Sequence, residues 1–83
     1  MVIKNEEIME LLLDVPEGHR HLRARFALAD GSEIVLQEAT VANLVRAYVT
    51  IKTHPSTNGL RLKGTRLEER KEGYAEWQLI ETA

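Results

Sequence analysis

Three histidines are the residues of this 83-residue chain best suited to chemistry. His19 and His21 sit two apart, and in a strand both rings would point the same way. With His54 they would make a minimal metal set. Zinc needs three or four ligands, and the chain has no cysteine to add. Surface imidazoles are therefore the expected reading, with no metal and no cofactor. His54 also lies beside Ser56 and Thr57. A catalytic hydroxyl needs a base in hydrogen-bond reach, a group that orients the base, and an oxyanion hole. Residues 54–59, His-Pro-Ser-Thr-Asn-Gly, instead carry the residues that turn a chain.

Other groups resolve the same way. Glu68, Glu69, Glu72, Glu76 and Glu81 could offer paired carboxylates, but glycoside chemistry needs two across a cleft with one shifted in pKa. Here they alternate with Arg66, Arg70 and Lys71, the pattern of a solvated hairpin. Gly59, Lys63 and Gly64 lack the spacing of a phosphate loop. Trp77, the only tryptophan, alternates in phase with Ala75 and Leu79, which places it in the core. The residues argue against an enzyme.

The strongest surface is a basic stripe. In residues 21–28, His-Leu-Arg-Ala-Arg-Phe-Ala-Leu, basic residues hold the odd positions through Arg25 and apolar ones hold the even positions. Successive side chains of a strand point to opposite faces. His21, Arg23 and Arg25 are thus expected on one wet face, above Leu22, Ala24, Phe26 and Leu28. Arg66 and Tyr74 are expected to join them from a later hairpin.

The elements that must position these residues follow from pattern. Asn5-Glu6-Glu7 reads as a helix start, and Ile8, Leu11, Leu12 and Val15 fall on one helical face before Pro16 and Gly18 stop the element. A strand through Leu11-Leu12-Leu13 is the weaker alternative. Strands over about 20–29 and 33–39 flank Asp30-Gly31-Ser32, and a three-residue turn would pair Leu28 with Ile34, Phe26 with Leu36 and Arg25 with Gln37. Thr40 is expected to cap a helix over about 41–53, with Val41, Leu44, Val45, Tyr48 and Ile51 as its apolar stripe.

The last third reads as a hairpin turning at Lys71-Glu72-Gly73. It would set Leu67 against Trp77 and Thr65 against Leu79, with a bulge at Gly64. The expected order is α-β-β-α-β-β, a two-layer α+β sandwich in a single domain, 1–83. Its four-stranded, mainly antiparallel sheet would have helices on one face and a right-handed crossover through the long helix. This order resembles a ferredoxin-like sandwich with its first strand moved to the end.

Composition bounds the function. A chain this short hides only about 60% of its unfolded surface, and its stability should be about 4–12 kcal/mol. Apolar residues make up 43% and charged ones 29%, ordinary for a folded domain. The absence of cysteine suits the cytoplasm, and the sequence shows neither a signal peptide nor an apolar run that spans a bilayer. A net charge of −2 argues against bulk attraction to nucleic acid, yet the charge is uneven. Residues 1–17 hold one Lys and five acids, whereas residues 18–25 hold three Arg and no acid.

Two functions compete on these grounds. The first is a non-catalytic interaction module that self-associates through a sheet face or edge strand, with Val35, Tyr74 and Ile80 exposed among the charges. The alternative is nucleic-acid binding through His21, Arg23, Arg25, Arg61, Lys63 and Arg66. Against it stands the scarcity of exposed aromatics for base stacking.

Overall fold

The computed structural model describes residues 1–66 and 77–82, with elements in the order β-β-β-α-β-β after a short 3-10 turn. The chain divides into two compact units, Met1–Ala42 and Asn43–Ala83, and the helix passes from the first into the second.

The first unit is a three-stranded antiparallel sheet: β1 (Ile8–Asp14), β2 (Arg23–Leu28) and β3 (Glu33–Gln37), in that spatial order. β1 replaces the expected first helix. The 3-10 turn takes only Asn5–Glu7, and Asn5 lies inside it instead of capping it. Ile8 is already extended, with φ −90° and ψ 110°. The Glu7 carbonyl accepts a hydrogen bond from the Ala29 amide at 2.8 Å, which starts the zipper to β2. An apolar run such as Leu11-Leu12-Leu13 satisfies either period, so pairing to an available strand decides the outcome.

The β2–β3 hairpin turns on three residues, 29–31. Gly31 donates to the Leu28 carbonyl at 3.0 Å, and Leu28 donates to the Ser32 carbonyl at 2.9 Å. Gly31 has φ +87°, the left-handed residue that ends such a turn. Asp30 fixes the bend by accepting from the Ser32 amide at 2.8 Å and from its hydroxyl. The observed pairs are Phe26 with Ile34, Ala24 with Leu36 and Arg23 with Gln37. This register lies two residues from the expected one, because the turn starts one residue earlier. A two-residue slip keeps every side chain on its face.

α1 (Glu38–Thr53) follows β3 without a linker. Thr40 is therefore its third residue and not its cap. The helix ends where the His54 amide reaches the Thr50 carbonyl, and the chain then turns through Thr57 to His54.

The second sheet pairs β4 (Arg61–Arg66) with β5 (Trp77–Thr82), antiparallel. Its register is regular from Arg61–Thr82 to Arg66–Trp77, so there is no bulge at Gly64. Gly64 faces Leu79 and Thr65 faces Gln78, one residue off the expected pairing. Leu62 thus shares a face with Leu79. The strands belong to two separate sheets, which overturns both the four-stranded sheet and the permuted ferredoxin-like order. The crossover expected between β3 and β4 falls with them. The turn at Lys71-Glu72-Gly73, Leu67 and the Trp77 side chain lie outside the described residues.

Candidate functional site: the charged face and free edge of the first sheet

Antiparallel partners share a face, so the register of the first sheet writes out both of its surfaces. One face is apolar: Leu13, Ala24 and Leu36 form one row across the three strands, and Leu11, Phe26 and Ile34 form the next. Ala24, 3% exposed, is the one buried residue among those described.

The opposite face carries the stripe. Its rows are Asp14-Arg23-Gln37, then Leu12-Arg25-Val35, then Glu10-Ala27-Glu33. The sequence alternation and the structure agree that Arg23 and Arg25 share a face opposite Ala24 and Phe26. The two arginines are half-buried and occupy the central strand, with carboxylates at three corners of the grid. No carboxylate of the described residues lies within 4.0 Å of either guanidinium. Asp14 stands opposite Arg23, yet its Oδ1 is sequestered with no hydrogen-bond partner among the described residues. The grid is a mixed surface, more balanced than the sequence stripe suggests.

The other expected site residues do not join it. His21 precedes β2 in a bend, and its Nδ1 lies 3.0 Å from Glu38 Oε2 at the start of α1. That pair is well exposed, at 79% and 48%. Arg66 is exposed at the end of β4, in the second sheet, so it does not extend the face of β2. Tyr74 lies outside the described residues. Among those described, no group of three or more His, Asp or Glu side chains is placed to hold a metal ion. Ser56 and Thr57 belong to the turn after α1, where the Thr57 amide donates to the His54 carbonyl at 3.0 Å.

The feature that sequence reasoning ranked second is β1, read there only as the weaker alternative to a helix. Among the described residues it is an edge strand, with β2 on one side only. Its leucines are exposed on both faces of the sheet: Leu11 at 53% and Leu13 at 50% on the apolar face, and Leu12 at 44% on the charged face. Met9, at 69%, sits in a bulge between Ile8 and Glu10. The signal was the unbroken run of three leucines, since a strand with one wet face would interrupt it.

No helix of the described residues is long and apolar enough to cross a membrane. Comparison with known proteins finds no matching family model, curated protein or solved structure.

Proposed function

We propose that this chain is a small non-catalytic interaction protein that acts as a homo-oligomer, with the first sheet as its contact surface. The observation that carries this reading is the exposure of Leu11, Leu12 and Leu13 together on β1. A second layer covers one face of a sheet, whereas these leucines stand on both. Leaving three such side chains in water forgoes about 25 cal/mol for each Å² of apolar area. Association removes that area from water, and a second copy is always available at the protein's own concentration. The lack of cysteine fits action in the cytoplasm. The nucleic-acid alternative gains nothing from a face whose two arginines are set among Glu10, Asp14 and Glu33.

Sedimentation velocity over a micromolar concentration series tests the proposal. A dimer or larger closed assembly is expected, and a monomer at every concentration overturns it.

A further inference from the structure

Building on the self-association reading, we infer that two copies join through their β1 edges, antiparallel and centred on Leu11, to make a continuous six-stranded sheet. Among the described residues the outer edge of β1 has no strand beside it, so it offers a row of amides and carbonyls, the standard template for strand addition. Its seven residues make it longer than β3, the sheet's other edge, which has five and leads directly into α1. The exposure also differs. Glu10 through Leu13 are all exposed, whereas β3 alternates exposed and half-buried residues. β4 is guarded by Arg61, Lys63 and Arg66, cations of the kind that keep edges apart.

Charge and strand overlap together fix the register. A two-fold axis normal to the sheet keeps each face on its own side, so a residue of β1 must lie opposite itself at the centre. Centring on Glu10 sets Glu10 against the partner's Glu10. Centring on Leu12 sets Glu10 against the partner's Asp14. Like charges directly opposite are destabilising. Centring on Leu11 avoids both clashes: Glu10 faces the partner's Leu12, Met9 faces the partner's Leu13 and Ile8 faces the partner's Asp14. It also uses the whole strand, with the bulge at Met9 confined to its outer part. The joined apolar faces then run on from one copy to the other across Leu11 and Leu13.

The chain has no cysteine, so single cysteines report the contact cleanly. Three variants, Leu11→Cys, Leu13→Cys and Val35→Cys, are oxidised mildly at a concentration where sedimentation shows the assembly. Leu11→Cys should convert to a disulfide-linked dimer, because its symmetry mate lies directly opposite. Leu13→Cys, equally exposed, should stay unlinked with its own mate about 14 Å away. Val35→Cys should also stay unlinked, its mate lying about 25 Å away across five strand spacings. Mixing Met9→Cys with Leu13→Cys should yield the crossed dimer. An assembly in which Leu11→Cys remains unlinked, or in which Val35→Cys links instead, overturns the Leu11-centred β1 contact and leaves self-association standing. A monomer throughout overturns both.

Discussion

Asp30 shows how one side chain can set a turn. Hydrogen bonds from the Ser32 hydroxyl, and then from the Ser32 amide, hold its carboxyl below the usual carboxylate range. A group whose folded pKa is depressed adds stability above its unfolded value, near 3.9, and that contribution is lost as pH falls through the folded value. Carboxyl-detected NMR should therefore show Asp30 titrating below an unfolded peptide control. Ser32→Ala should move the midpoint partway back, since the amide donor survives. Arg23 and Arg25 are the contrasting case. Neither touches a carboxylate of the described residues, so replacing both with Gln should change stability by less than about 1 kcal/mol. Thermal denaturation checks the stability. Sedimentation of the same variant should still show the assembly, because the proposed contact runs along the β1 edge and not through this face.

At the scale of elements, what was legible depended on whether a segment's pattern had one solution. Arg23-Ala24-Arg25-Phe26 admits only a strand, and β2 forms with its faces as read. Ile8 through Leu13 admits two periods, and nothing within the segment says that a neighbouring strand will pair with it. The candidate edge was hidden for the same reason. Gly64 invited a bulge because Leu62 had the wrong parity for Leu67, and a one-residue shift of the whole ladder places Leu62 with Leu79 instead. The turn glycines give a sharper test. A Cβ on Gly31 meets nothing within 4 Å, so Gly31→Ala costs only the left-handed backbone, about 1–2 kcal/mol. Gly59 has no positive φ and equally open surroundings, so Gly59→Ala should stabilise by about 0.4–1 kcal/mol through the unfolded state. Opposite signs in urea denaturation of the two variants are expected.

For the whole molecule, the balance of inside and outside matters most. With Ala24 the one buried side chain among the described residues, those residues gain little from an interior of their own. If stability comes from association, it must depend on protomer concentration. The melting temperature should rise as the protein is concentrated from micromolar to millimolar. A melting temperature that stays fixed across that range would place the stability within the single chain.

The two connections of the first sheet also set an order of events in time. The β2–β3 turn spans three residues, 29–31, whereas residues 15–22 between β1 and β2 number eight. Closing the longer loop costs about 0.9 kcal/mol more by the logarithmic length rule. The hairpin should therefore form first, within the microsecond range of isolated hairpins, and β1 should add to it afterwards. By the same reasoning β1 is the strand that detaches first from the folded sheet. Native-state hydrogen exchange should find the amides that β1 turns toward β2 opening before those shared by β2 and β3. The strand offered to a second copy is thus also the last to join its own sheet, and partner capture would slow its departure.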